Sequence, residues 1–130
     1  MLSKFKALGT DRVVGVDPGL TTGLCCIGSE GLADSAEALR FGEIVDFIRV
    51  HDPMVVVMED YIIGRRPARP KEPLGVIGVV KYICEEDERR LVIQSPGILS
   101  RMMPKMTGIH RSKHIRSACA HVMYYLETGD

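Results

Sequence analysis

Residues 12–27, RVVGVDPGLTTGLCCI, contain two short runs of β-branched and other apolar residues on either side of an Asp-Pro-Gly turn. Valine and isoleucine favour extended strands, whereas proline and glycine favour turns. The stretch therefore predicts two strands, at 12–16 and 23–27, joined by a tight turn into a β-hairpin. Asp17 lies in that turn, where the neighbouring glycines allow the backbone to approach a ligand closely.

The rest of the chain alternates between strand-like and helix-like segments. After the hairpin we predict a weak third strand at 28–33, a helix at 35–50, a strand at 54–58, a helix at 74–88, a strand at 91–94, a short helix ending near residue 106 and a final helix at 113–126. Asp34 and Glu37 resemble a capping box that would open the first helix. The apolar run MVVVM at 54–58 is typical of a central strand covered on both faces. This order predicts an α/β fold with a mixed central sheet and helices on both faces.

The length and composition are those of an ordinary globular protein. Hydrophobic residues make up 45% of the 130 residues and charged residues 26%, so we expect a single domain over 1–130. Residues 64–73, GRRPARPKEP, contain three prolines and predict a loop. No apolar run reaches the roughly 20 residues of a membrane span, and we expect a cytoplasmic protein without membrane contact. The four cysteines lack metal-ligand spacing and are expected to be buried thiols.

The charge is unevenly distributed, although the formal net charge is zero. Residues 1–60 hold 5 Lys and Arg against 10 Asp and Glu, whereas residues 61–130 hold 12 against 7. No acidic residue lies between Arg89 and Arg116. An uncompensated basic stretch is either a solvated surface or the electrostatic signature of phosphate binding.

Two carboxylates and a histidine form a candidate metal site. Asp17 and Glu59 each follow an apolar strand, where a carboxylate is costly unless it is paired, metal-bound or capping a turn. His114, Ser117 and His121 are spaced i, i+3 and i+7, so they lie along one face of the final helix. Asp17, Glu59 and His114 could together hold Mg²⁺, or Mn²⁺, which accepts imidazole well. Further candidate ligands or supporting residues are Asp60, Ser117 and His121.

Several of these segments resemble RuvC-type Holliday junction resolvases, which belong to the RNase H-like superfamily. VGVDPG followed by Thr22-Gly23 is similar to their opening strand and turn, which carry the first catalytic aspartate. The other similar segments are Val56–Glu59 with the catalytic glutamate, Ser95-Pro96 at a strand-to-helix turn, Thr107-Gly108 leading to a DNA-contacting lysine at Lys113, and His114–Ala118 at the start of the final helix. The resemblance covers nearly the whole chain in the same order.

The chain also departs from the cellular members of that family. The glycine at 23 comes one residue earlier, a form typical of compact bacteriophage relatives. Ser117 stands where the family usually has an aspartate, which removes one negative ligand and bears on how many metal ions can bind. The span between Thr107-Gly108 and the final helix is shorter as well.

The resemblance implies a metal-dependent endonuclease that cuts branched DNA as a homodimer. Asp17, Glu59 and His114 would be both metal ligands and catalytic residues, and Mg²⁺ or Mn²⁺ would be the cofactor. The products would carry a 5′ phosphate and a 3′ hydroxyl. The DNA-binding residues would be Arg65, Arg66, Arg69, Lys71, Arg101, Lys105, Arg111, Lys113 and Arg116.

Other functions are consistent with the same residues. An enzyme of this fold could instead cut flaps, forks, single strands or RNA, because phosphodiester hydrolysis is common to all of them. Ser117 would also suit a module that binds junctions without cutting them. The turn at Asp17 is loosely similar to the phosphate loop of actin-like ATPases, but those folds need about twice this length and a second phosphate loop.

Overall fold

The computed structural model describes residues 12–60 and 71–130. In these residues the chain forms β1 (Val13–Asp17), β2 (Thr22–Gly28), β3 (Gly31–Ala38), α1 (Phe41–His51), β4 (Val55–Glu59), α2 (Lys71–Glu86), β5 (Arg90–Gln94), α3 (Ile98–Met102), a 3₁₀ helix (Met103–Met106) and α4 (Lys113–Thr128). None of the described helices is both long and apolar enough to cross a bilayer.

The strands form one mixed sheet in the order β3-β2-β1-β4-β5. The predicted hairpin is confirmed, since β1 pairs with β2 in antiparallel fashion, and β2 pairs likewise with β3. The strand predicted at 54–58 is also confirmed, because β4 lies inside the sheet between β1 and β5 and runs parallel to both. Parallel strands end at the same edge of a sheet, so β1, β4 and β5 bring their last residues together.

Apolar side chains from the two faces of the sheet enter two separate cores, as alternation along a strand requires. Val14 and Val16 of β1 face α1 and α2, whereas Val13 faces the side covered by α3 and α4. Helices therefore cover both faces, as predicted. The adjacent Cys25 and Cys26 enter opposite cores, and all four cysteines are free and buried.

The predicted start of the first helix is wrong. β3 continues to Ala38, and α1 begins only at Phe41. Backbone pairing of β3 with β2 overrides the local helical pattern, because it satisfies the strand's hydrogen bonds along its whole length. The capping contact at the start of α1 comes from Glu43 instead of Glu37, because Glu43 Oε1 accepts from the backbone N–H of Arg40 at 3.0 Å.

Other predicted boundaries shift by a few residues. The third strand is Gly31–Ala38 rather than 28–33. Of the loop predicted at 64–73, residues 64–70 lie outside the described residues, and the last three residues begin α2. Proline is tolerated in the first turn of a helix because its missing N–H would have no partner within the helix, and Pro73 lies there. The final helix ends at Thr128, followed by Gly129 in a left-handed conformation.

Candidate active site

Asp17 and Glu59 end two neighbouring parallel strands at the same edge of the sheet. β1 and β4 are in register, with Val16 opposite Met58, so the two carboxylates follow at equivalent positions. Both line an open cavity of about 520 Å³. The rest of its lining comes from the hairpin turn, α3 and the first turns of α4: Pro18, Gly19, Leu20, Thr21, Leu99, Lys113, His114 and Ser117.

Two glycines of the hairpin allow α4 to lie directly on the sheet. A Cβ at Gly23 would overlap the backbone carbonyl of His114, and a Cβ at Gly15 would overlap that of Ala118. Gly23 is also the strand partner of Asp17. The absence of side chains at these positions brings the start of α4 over Asp17. The sequence contained this signal in the spacing of its glycines, but their role as a seat for α4 was not predicted.

The electrostatics of the site favour a bound cation. Burial and then the negative charge of Glu59 raise the pKa of Asp17 from its ordinary 3.8 to about 7. Hydrogen bonding from Ser117 and the charge of Lys113 offset part of this rise. Two carboxylates in one partly buried cavity repel each other unless a positive charge lies between them. The oxygen-rich donor set therefore fits a hard divalent cation such as Mg²⁺.

Glu59 has a buried partner that does not line the cavity. His121 Nε2 lies 3.0 Å from Glu59 Oε1, and His121 Nδ1 lies 2.7 Å from Gln94 Oε1. His121 has no exposed surface, and both of its ring nitrogens are engaged. His121 therefore contacts Glu59 from the protein interior and is not one of the residues that could bind a metal ion in the cavity. Gln94 was not predicted as a site residue, although a polar residue closing an apolar strand next to β4 was a usable signal.

The remaining candidate ligands occupy different positions. His114 is exposed and lines the cavity. Ser117 is buried, and its hydroxyl lies 3.9 Å from the sulfur of Met103. Asp60 is exposed, is not among the cavity-lining residues, and donates its backbone N–H to the carbonyl of Gln94. Over residues 12–60 and 71–130, no three His, Cys, Asp or Glu side chains are close enough together to hold a metal by themselves.

The predicted DNA-binding residues fall into four groups. Lys113 lines the cavity beside the carboxylates, and Arg101, Lys105 and Arg111 are exposed. Arg116 is partly buried and donates from Nη1 to the carbonyls of His110 and Arg111, at 2.8 Å each, so it supports the loop before α4. The residues outside the described part of the chain are Arg65, Arg66, Arg69 and the side chain of Lys71.

The fold is the RNase H-like fold of RuvC-type proteins, as the sequence predicted. The solved structure of T. thermophilus RuvC in complex with Holliday junction substrate matches with a TM-score of 0.73 and 14% sequence identity, over 92% of this chain and 96% of that chain. A second Thermus thermophilus RuvC structure matches with a TM-score of 0.73 and 16% identity, over 91% and 96%. No protein-family model and no curated protein sequence matches the chain.

Proposed function

We propose that this protein is a divalent-cation-dependent endonuclease that hydrolyses phosphodiester bonds in branched DNA, above all in four-way Holliday junctions. One observation carries the proposal: Asp17 and Glu59 end adjacent parallel strands and line the same cavity as His114 and Lys113. This site occurs in a fold shared with a RuvC whose structure contains a Holliday junction substrate. At such a site the two carboxylates would hold a divalent cation that offsets the charge of the phosphodiester, and the neighbouring lysine adds a second positive charge for it.

Asp17 and Glu59 would provide carboxylate ligands for the cation, either Mg²⁺ or Mn²⁺. His114 is exposed in the same cavity and would have to turn toward the two carboxylates to become the third ligand. A divalent cation supplies charge for the phosphate and lowers the pKa of a bound water molecule. The chain's own residues do the rest. Ser117 and Lys113 both lower the pKa of Asp17, and Lys113 adds a positive charge to the same cavity, where it would bind a phosphate oxygen.

The DNA would lie across the surface of the segment that leads to α4, whose own sequence contains no acidic residue. Arg101 and Arg111 are exposed, and Gly108 to Arg111 line a second cavity of about 650 Å³ together with Arg116. Backbone phosphates would bind these cations, so junction affinity should fall steeply with salt. Lys105 lies 3.7 Å from Glu127 and would have to exchange that partner for a phosphate. Four further DNA contacts are proposed from the sequence alone, in the segment that follows β4: Arg65, Arg66, Arg69 and Lys71.

We further propose that the active form is a homodimer that acts in the cytoplasm, or in the host cytoplasm if a phage encodes it. Paired nicks related by two-fold symmetry require two equivalent active sites. One chain offers one such site among its described residues.

The test is incubation of the purified protein with labelled four-way junction, flap and linear duplex DNA in Mg²⁺ or Mn²⁺, with Asp17→Asn in parallel. Paired symmetric nicks that disappear in the variant would establish a resolvase. Cutting of flaps or single strands in preference to junctions would keep the nuclease and change its substrate. Junction binding without any cleavage would favour the alternative that Ser117 suggests, a binding module without catalytic activity.

A further inference from the structure

Glu59 is supported on the side away from the cavity by two buried polar side chains. His121 lies 3.0 Å from Glu59 Oε1 and 2.7 Å from Gln94 Oε1, and Gln94 Nε2 donates to the backbone carbonyl of Asp130 at 3.3 Å. We propose that His121 and Gln94 are positioning residues, which fix the Glu59 carboxylate in the orientation that receives the cation. This inference rests on the proposed nuclease function.

The contacts determine which atom of Gln94, His121 and Glu59 faces which partner. Because the amide nitrogen of Gln94 donates to Asp130, its oxygen must face His121. A carboxamide oxygen only accepts, so the His121 ring donates to it from Nδ1. Nε2 then faces Glu59 Oε1, so each ring nitrogen of His121 has one polar partner. With Oε1 held, Oε2 is the oxygen that can turn toward the cavity.

The burial of this group argues for more than packing. His121 is fully buried and Gln94 is 3% exposed, and α4 is otherwise seated on the sheet by apolar neighbours such as Ala118 and Val122. Burying two polar side chains costs desolvation that an apolar pair of similar volume would avoid. Metal-binding carboxylates, by contrast, are commonly oriented by hydrogen-bonding partners behind them. Gln94 contacts His121, and His121 contacts Glu59. We therefore assign the two buried side chains the function of orienting the Glu59 carboxylate.

The experiment measures binding of Mn²⁺ alone, without DNA, by titration calorimetry. His121→Leu removes the contact with Glu59 and fills the same space with an apolar side chain of similar volume. His121→Gln retains a donor for Glu59. Leu126→Ala is the matched control, because Leu126 is a buried core residue further along the same helix. Thermal melting of each variant checks that it is folded.

We expect the Kd for Mn²⁺ to rise about tenfold or more in His121→Leu, with partial recovery in His121→Gln and a change under about twofold in Leu126→Ala. Gln94→Leu should raise the Kd in the same direction by a smaller factor, and it provides the test if His121→Leu does not fold.

An unchanged Kd in folded His121→Leu, or an equal loss in Leu126→Ala, would overturn the positioning role while leaving the proposed nuclease intact. Wild-type protein that binds no Mn²⁺ would instead overturn the metal site, and this inference with it. Asp17→Asn shows whether the Mn²⁺ that binds to the wild-type protein occupies this cavity, because only then should the variant lose Mn²⁺ binding.

Discussion

The two ends of the central sheet place their carboxylates in opposite electrostatic surroundings. Where β4 and β5 begin, Asp87 lies 3.0 Å from Arg49 and 3.6 Å from Arg89, and a hydrogen bond from Arg49 is the main cause that lowers its pKa. Where β1 and β4 end, Asp17 is buried beside Glu59, and its pKa rises to about 7. One end neutralises its carboxylates with cations of the protein, whereas the other brings two carboxylates together.

The difference separates charges that hold the fold together from charges for which we propose a function. Arg89, whose side chain is mostly buried, contacts Asp52 at 2.7 Å and reaches the carbonyl of Pro53, so it joins the loops that precede β4 and β5. Such pairs hold segments together. Binding of a cation from solution would reduce the mutual repulsion of the two carboxylates at the opposite end. The repulsion that destabilises the metal-free fold would then favour cation binding.

The largest effect is expected from removing a carboxylate of the site. Asp17→Asn and Glu59→Gln preserve side-chain size but remove charge that would hold the cation, so junction cleavage should fall by about a thousandfold or more. Metal-free junction binding should remain close to wild type, because phosphate contacts dominate affinity. Asp87→Asn, at the other end of the sheet, is the control and should cleave normally. Wild-type cleavage rates in both site variants would rule out this assignment.

A smaller but still large effect is expected at the hairpin that seats α4. Gly23→Ala places a methyl group against the His114 carbonyl, so it should lower the free energy of unfolding by about 1–3 kcal/mol and reduce cleavage. Gly28→Ala, in the same strand, meets only the Arg12 side chain at 3.9 Å and should be tolerated. Urea unfolding of both variants measures the difference. Equal stabilities would show that α4 does not depend on close approach at Gly23.

The pH dependence of stability should reveal the carboxylate pair in the metal-free protein. Because the pKa of Asp17 is raised from 3.8 to about 7, the folded state retains a proton that the unfolded state has lost between these values. The stability linked to this proton is complete below pH 3.8 and lost as pH rises to about 7, a loss on the order of 4 kcal/mol.

Urea unfolding in EDTA across this pH range measures that loss. Asp17→Asn should flatten the slope, and saturating Mg²⁺ near pH 8 should restore stability to the wild-type protein. The same slope in Asp17→Asn and in wild type would assign the effect to other groups.

The smallest effect is expected from Asp87→Asn. The fold lowers the pKa of the wild-type Asp87 carboxyl below its ordinary 3.8. The stability that this carboxylate contributes is therefore present above pH 3.8 and is lost as pH falls below that value, which is the opposite of the behaviour expected for Asp17. The pair with Arg49 is exposed, and we expect a slight decrease in melting temperature at neutral pH that added salt diminishes. A decrease as large as that of Gly23→Ala would mean that this end of the sheet is more than a surface contact.

Much of the architecture could be predicted because it follows from local patterns. The hairpin, the apolar strand β4 and the helix α4 each have a clear period or turn signal in the sequence. The start of α1 could not be predicted in this way. Residues 35–38 have a helical pattern, but backbone pairing with β2 extends them as a strand. Strand pairing depends on a partner elsewhere in the chain, so a local pattern does not contain it.

The same division holds for the site. The sequence by itself determined which groups are available, with Asp17 and Glu59 after apolar strands and His121 on one face of the last helix. Only the tertiary structure decided their neighbours. Glu59 and His121 are 62 residues apart, and His121 and Gln94 are 27 apart, yet they are in contact because β4 and β5 pair in parallel and α4 packs across them. Periodicity identifies the face of an element, whereas the sheet register and the close seating of α4 on two glycines determine which faces meet.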